Sequence, residues 1–316
     1  MAVSLVSVVV PARNAQATLG ETISGLARQE LAGRFEVIVV DDGSVDATAA
    51  LAEASPTVTK LLRVRGDGPA TARNQGAAAA RGQILAFLDA DCRPTPGWLA
   101  AGVAALEYAP LVQGRVLPTP NTPVGPFDRT LWVTRASGLF ESANLFIDRD
   151  LFEAIGGFES WITPRRGTEM GEDVWLGWRA RRRGARTAFC DAALVYHAVL
   201  RRGALAYITE QRRRRHFPEM ASRIPELRDE LFHRRYFLTA RSMAFDGALA
   251  GLALAGTGHR GLGLLTSIPY LRTLGRSASG RRPREAGAMI CAGMAADAVS
   301  AAALVRGSLE TGSPVL

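Results

Sequence analysis

Lysine is almost missing from this chain: Lys60 is the only one in 316 residues, so the positive charge is carried by arginine. The chain is also crowded with Ala and Gly, and a GC-rich genome produces this bias without selecting for guanidinium chemistry, so arginine abundance alone assigns no function. Cysteine is scarce. Cys92, Cys190 and Cys291 are odd in number and scattered, with no CxxC spacing and no nearby histidine pair. That argues against a disulfide framework or a cysteine-built zinc site and fits a reducing compartment. The opening MAVSLVSVVVPARN has no basic region and no small-residue cleavage site, and its short β-branched run leads straight into Pro11. It is expected to be a first strand rather than an export signal. There is no internal repeat and no low-complexity tract beyond the alanine bias.

What is present is a hydrophobic content of 47%, enough for one large core in one or two domains. The net charge of +8 is unevenly placed: residues 1–200 hold 20 basic and 21 acidic side chains, and residues 201–316 hold 18 and 9. An anionic partner is therefore expected at the tail, a membrane surface rather than nucleic acid.

Residues 5–10 (LVSVVV) form a continuous apolar run suited to a strand buried on both faces. Helical spacing follows over 16–29, with Leu19, Ile23 and Leu26 on one face. A second strand is expected at Phe35–Val40, then a helix capped by Ser44 and running to about Ala54. A third strand is expected at Leu61–Val64. Gly68-Pro69 opens an alanine-rich helix, with proline where the first turn tolerates it. A fourth strand, Ile84–Leu88, ends at Asp89-Ala90-Asp91. Strand alternating with helix predicts a doubly wound, mostly parallel α/β sheet, and ligands of such sheets sit beyond the carboxyl ends of the strands. The polar clusters 11–14, 41–44 and 89–91 all fall there. Residues 111–140, with Pro118, Pro120, Pro123 and Pro126, are expected to be a long covering loop. Regularity returns at Asn144–Phe158 and in a helix from Glu172 to Gly184.

Asp89 and Asp91, one residue apart at a strand end, suit an oxygen-ligated divalent cation that keeps open positions for phosphate oxygens. An acidic solvated turn explains an isolated pair equally well. Asp41 and Asp42 offer acceptors for a base edge or ribose hydroxyls, and turn formation competes with that role. Arg73 and Asn74, early on one helix, could reach a sugar or phosphate, or stand on a solvated face. Glu172 and Asp173 open a helix, where carboxylates are also favoured by the macrodipole. Trp175 and Trp178 suit a core or a substrate wall. His197 suits a metal ligand or a satisfied core histidine.

In their order, VVVPARN, VIVVDDGSVDAT, GPATARNQGAAAARG, ILAFLDADCRPTPGWL, ANLFIDRDLFEAIGGFE, GEDVWLGWRARRRG and LVYH resemble glycosyltransferase family 2, inverting enzymes with the GT-A fold. The resemblance covers about residues 3–200. It implies a nucleotide-sugar site lined by Pro11, Arg13, Asn14, Asp41, Asp42 and Arg73, with Asp89, Ala90 and Asp91 at the diphosphate. It implies a divalent metal, Mn2+ or Mg2+, on Asp91 and Asp89, with His197 as a further ligand. Asp173 of the Glu172-Asp173 pair would be the general base. The donor implied is a nucleotide-diphosphate sugar, UDP-linked by preference, and the acceptor a saccharide or lipid-linked saccharide of a cell-envelope polysaccharide. The QRRRR run at 211–215 departs from the QxxRW pattern of processive members, since Arg215 replaces the tryptophan.

The chain therefore reads as a catalytic domain over 1–200 and a basic, helical, membrane-associated region over 201–316. The segment 286–305 is long enough to cross a bilayer but contains Asp297. The segment 242–270 is broken by Asp246, His259 and Arg260, which favours an interfacial arrangement. Ten arginines between 201 and 235 suit anionic headgroups. The expected location is cytoplasmic, peripheral on the inner face of the cell membrane. Two rival readings are a catalytically inactive membrane-bound scaffold of the same fold and a dinucleotide-dependent oxidoreductase. The intact acidic pairs argue against the first, and PARNAQ in place of GxGxxG argues against the second.

Overall fold

The computed structural model describes residues 5–31, 33–162, 170–280 and 282–316. These fall into two compact units, Met1–Val124 with Arg129–Leu200, and Gly125–Asp128 with Arg201–Leu316.

The first unit is built on an eight-stranded sheet. Its strands are β1 (Val6–Ala12), β2 (Phe35–Asp41), β3 (Lys60–Arg63), β4 (Ile84–Leu88), β5 (Cys92–Pro94), β6 (Leu111–Pro118), β7 (Asn144–Asp148) and β8 (Thr187–His197), in the order β3-β2-β1-β4-β7-β6-β8-β5. The neighbours of β1, β2 and β3 are parallel, β6 pairs β8 in parallel, and β7 and β5 run antiparallel to their neighbours. Helices α1 (Leu19–Ala27), α2 (Thr48–Glu53), α3 (Pro69–Ala79), α4 (Trp98–Leu106), α5 (Arg149–Ala154) and α6 (Glu172–Arg182) flank it. The expected mostly parallel α/β sheet is what forms.

The physical reason lies in the valine runs. Val8, Val9 and Val10 of β1 and Val37, Ile38, Val39 and Val40 of β2 are all buried, so both sheet faces are covered. Helix α3 can lie close on β1 only because residue 76 is glycine, since a Cβ there would stand 2.3 Å from Val9 Cγ1.

Two expectations need correcting. Ser44 does not cap α2, which starts at Thr48; its hydroxyl instead accepts the backbone N–H of Asn14 at 2.9 Å. Residues 111–140 are not all loop, because β6 runs through the sheet at Leu111–Pro118. Gln113 and Arg115 hid that strand. The Gln113 amide is buried and its Nε2 donates to the carbonyls of Gly114, Glu141 and Asn144 at 3.0–3.2 Å, which offsets part of the cost of placing a polar residue inside.

The second unit is helical: α7 (Ala204–Glu210), a 3-10 turn at Gln211–His216, α8 (Phe217–Arg223), α9 (Leu227–Glu230), α10 (Ala240–Gly256), α11 (Arg260–Ala278) and α12 (Pro283–Thr311). Asp297 of α12 is buried and fully occupied. Arg241 holds it through two nitrogens at 2.8 Å, and Tyr270 donates its hydroxyl at 2.8 Å. Among the described residues α12 is the one helix long and apolar enough to cross a membrane, with 33% of its apolar window buried.

Candidate active site

A cleft of about 510 Å³ opens at the carboxyl ends of β1, β2 and β4, where the strand order turns outward on both sides of β1. Pro11, Arg13 and Asn14 leave β1, Asp42 leaves β2, Asp89, Ala90 and Asp91 leave β4, and Arg73 reaches in from α3. These segments lie far apart in sequence, and the sheet brings them together.

The β1 and β2 ends are stapled to each other. Asn14 takes the left-handed conformation (φ 48), which asparagine tolerates, and its Oδ1 accepts the Val45 N–H at 3.0 Å. Asp41 lies outside the cleft wall; it accepts the Ser44 N–H at 3.2 Å and so serves the turn. Asp42 does face the cleft. One carboxylate oxygen accepts the Gly68 N–H at 3.2 Å and faces Arg13 at 3.9 Å, while Oδ1 is buried without a partner among the described residues. Burial raises the Asp42 carboxyl above its usual range.

Arg73 is the hub. Its side chain is buried; Nη2 donates to Asp89 Oδ1 at 2.8 Å and Nη1 to Glu172 Oε1 at 3.2 Å. Glu172 therefore faces Arg73 rather than the cleft. The neighbouring Asn74 does not reach the cleft either, contrary to the expectation. It pairs with the backbone of Phe158, donating at 2.7 Å and accepting at 2.8 Å. That clamp holds the turn through Gly156 and Gly157, both at positive φ, and a Cβ on Gly157 would lie 2.7 Å from Asn74 Oδ1.

Asp91 Oδ2 lies 3.4 Å from His197 Nε2. His197 Nδ1 sits 2.6 Å from the carbonyl of Ala198, and since a carbonyl only accepts, Nδ1 is the donor of that contact, which leaves Nε2 as the nitrogen turned to Asp91. Among the described residues the metal-ligating atoms of Asp91, Cys92 and His197 lie within 4.8 Å of one another, and Asp89 is outside that group. Cys92 is fully buried, and burial pushes its thiol well up, so it stays protonated and is a poor ligand. The carboxylate and imidazole that remain fit a cation such as Mn2+ or Mg2+ bound partly by donor oxygens. Burial also raises the Asp91 carboxyl, with Asp89 adding to the rise and His197 opposing it.

Asp173 opens α6 next to Glu172 but is not on the cleft wall. Its oxygens accept the N–H groups of Ser142 at 3.2 Å and Val174 at 2.8 Å. Burial, and after it the Glu172 charge, push its carboxyl up to about 8. A hydrogen-bonded line thus runs from Asp89 through Arg73 to Glu172, the residue beside Asp173.

Sequence reasoning missed Arg129 and Asn144. Arg129 lines the cleft just after the proline-rich stretch, held by paired backbone hydrogen bonds with Leu200 at 2.9 and 2.8 Å. Asn144 is fully buried, donates to the carbonyls of Arg115 and Ala193, and accepts from Trp98 at 2.8 Å, which fixes the segment carrying Ser142. The only signal for Arg129 was its place after the prolines.

Residues 7–158 match the family described as Glycosyl transferase family 2. The chain is similar to the glycosyltransferase AglE of Haloferax volcanii, 28% identical, covering 61% of this chain and 66% of that protein. It is also similar to the succinoglycan biosynthesis protein ExoO of Rhizobium meliloti, 32% identical, over 74% of this chain and 69% of that one. Of the first relatives it matches, the chain spans between 42% and 66% of the length. Among solved structures it resembles a mannosyltransferase of Pyrobaculum calidifontis in complex with GDP-Man and Mn2+, with a TM-score of 0.58, 20% identity, and coverage of 98% of this chain and 87% of that one. At that identity the likeness speaks for the GT-A fold alone.

Proposed function

The chain belongs to glycosyltransferase family 2, and we propose that it transfers a sugar from a nucleotide-diphosphate sugar to a saccharide hydroxyl with inversion at the anomeric carbon. The observation that carries this reading is the cleft itself, which gathers Asp42, Arg73, Asp89 and Asp91 at the sheet's switch point. Asp42 Oδ1, which has no partner among the described residues, accepts an N–H of the base, and a uracil edge suits it. Asp91 and His197 would hold a divalent cation, which when bound offsets the charge growing on the departing diphosphate. Asp89, fixed by Arg73, turns its other oxygen to the donor. Asp173 takes the proton of the attacking hydroxyl, and Glu172, tied to Arg73, positions it. The acceptor hydroxyl attacks opposite the leaving group, so an α-linked donor gives a β-linked product.

The domain reading follows: a catalytic region over 1–200 and a helical region over 201–316. The acceptor is a saccharide or lipid-linked saccharide of the cell envelope, met at the cytoplasmic face of an anionic membrane. The tail's 18 basic against 9 acidic side chains support that placement. A donor screen tests the activity by following nucleoside diphosphate release with and without manganese, with saccharides and lipid extracts as acceptors. No release from any donor would overturn it.

A further inference from the structure

Within the second unit, the distal half of the α10 and α11 hairpin has no apolar core of its own. Over residues 249–265 only Gly251 and Gly263 are buried. Leu249, Leu252, Leu262, Leu264 and Leu265 are 47–70% exposed. The two helices meet backbone to backbone: a Cβ on Gly251 would lie 2.5 Å from the Gly263 carbonyl oxygen, and one on Gly263 2.5 Å from that of Gly251. Contact through small residues leaves the large apolar ones outside, as happens where lipid surrounds a helix pair.

The leucines stand on both faces of the hairpin. At about 100° per residue, Leu262 flanks one side of the Gly263 seam, Leu264 and Leu271 flank the other, and Leu265 stands on the outer side away from α10. A docked protein, or a second copy, would cover one face and leave the other wet, whereas acyl chains of a leaflet into which the hairpin sinks can follow its flanks on more than one side. The hydroxyls along the hairpin are also satisfied internally. Thr257 donates to the Leu254 carbonyl at 2.9 Å, Thr266 to Gly263 at 3.1 Å and Ser267 to Gly263 at 2.8 Å, so none enters lipid unpaired.

Charge identifies which lipid. From Gly247 to Arg284 the sequence has six arginines and no carboxylate. Arg260 is exposed at the hairpin tip, and Arg272, Arg276, Arg282 and Arg284 are exposed toward the other end. At about 1.5 Å per residue, Arg260 and Arg272 are roughly 18 Å apart, short of the ~30 Å hydrocarbon core. Perpendicular insertion would carry Arg260 toward the midplane, where an arginine is strongly disfavoured.

We propose that the α10 and α11 hairpin is the membrane-docking element, lying along one leaflet of an anionic bilayer with its leucines among acyl chains and its arginines at headgroup phosphates. The inference rests on the membrane-side reading above and assigns it to a surface distinct from the arginines of 201–235.

The test uses the full chain and vesicles of phosphatidylcholine with or without phosphatidylglycerol. The wild type is expected to pellet with the anionic vesicles and to stay partly bound at high salt. Leu262→Ser, Leu264→Ser and Leu265→Ser combined, all at exposed positions, should lower partitioning at least about tenfold, with the unfolding midpoint and manganese-dependent nucleoside diphosphate release unchanged. Arg272→Gln with Arg276→Gln should reduce the preference for anionic lipid and leave the salt-resistant fraction. An environment-sensitive dye on Leu264→Cys, in a Cys291→Ser background, should shift to the blue on vesicle addition. Unchanged partitioning of the triple variant, or an unshifted dye, overturns the proposal. So does a lipid-free dimer that the triple variant breaks, which would make the hairpin a contact between copies. Failure of the wild type to release nucleoside diphosphate would instead refute the proposed activity and leave the vesicle result standing.

Discussion

Arg73 Nη2 lies 2.8 Å from Asp89 Oδ1, and the same guanidinium holds Glu172 at 3.2 Å, so one buried cation joins the end of β4 to the start of α6. Removing it strands the buried carboxylate of Glu172 and frees Asp89. Arg73→Ala is expected to cost about 3–5 kcal/mol of stability and to abolish turnover. Glu172→Gln keeps an acceptor for Arg73 and should cost far less stability. Thermal unfolding and nucleoside diphosphate release measure both; an Arg73→Ala protein of normal stability would show that the hub is dispensable.

Asp173 should leave its mark on the pH dependence. Its carboxyl ionises near 3.8 when unfolded and near 8 when folded, so between those values the native state holds a proton that the unfolded state has lost. Its contribution to stability is full below about pH 4 and is lost as pH rises toward 8. A base needs the ionised form, so the transfer rate should climb with pH over the upper part of the same window. Asp173→Asn should remove that rise, lower the rate by about two to four powers of ten, keep donor affinity, and be more stable than the wild type at the alkaline end. An unfolded variant without donor binding would mean that Asp173 is a helix cap and nothing more.

The metal reading separates the two aspartates of the DAD motif. Asp91 faces His197 Nε2 at 3.4 Å, and Asp89 is bound by Arg73. Titration calorimetry with manganese alone should show binding lost in Asp91→Asn and weakened by about 10- to 100-fold in His197→Ala. Asp89→Asn should retain manganese binding and lose donor affinity. Chelation by EDTA should stop turnover. Equal manganese affinity across all three variants would place the cation elsewhere.

The central strands and the cleft were legible because β1, β2 and β4 are buried on both faces and read as unbroken apolar runs. The strand β6 was not, since Gln113 and Arg115 interrupt its run and only the folded carbonyls around Gln113 explain its burial. The Arg73 hub was equally hidden: its partners lie 16 and 99 residues away, and no local pattern links them. Asn74 was misjudged by placing it with Arg73, although adjacent helical residues point about 100° apart. One faces the cleft and the other grips the turn before Phe158. The hairpin was visible as an interrupted apolar segment, and only its burial pattern revealed leucines on both faces.

The proposed donor reading makes Asp42 the base-reading residue: its Oδ1 is buried in the cleft wall with no partner among the described residues, while Oδ2 accepts the Gly68 N–H at 3.2 Å. A carboxylate on the cleft wall whose Oδ1 has no partner among the described residues suits an N–H at the edge of a base. Asp42→Asn keeps the volume and can keep the Gly68 contact, but it removes the charge, and a flipped amide would set N–H against N–H. A hydrogen bond to a charged group contributes about 1.5–3 kcal/mol, so donor affinity should fall roughly 10- to 150-fold. The loss should be greatest for donors whose base carries a ring N–H on that edge, with metal affinity unchanged. Competition binding with UDP, GDP and CDP measures it, because uracil and guanine carry a ring N–H while cytosine has a lone pair at that nitrogen and only its exocyclic amino group as donor, so UDP and GDP should lose more affinity than CDP. A uniform loss across all three diphosphates would mean that Asp42 supports the loop and does not read the base.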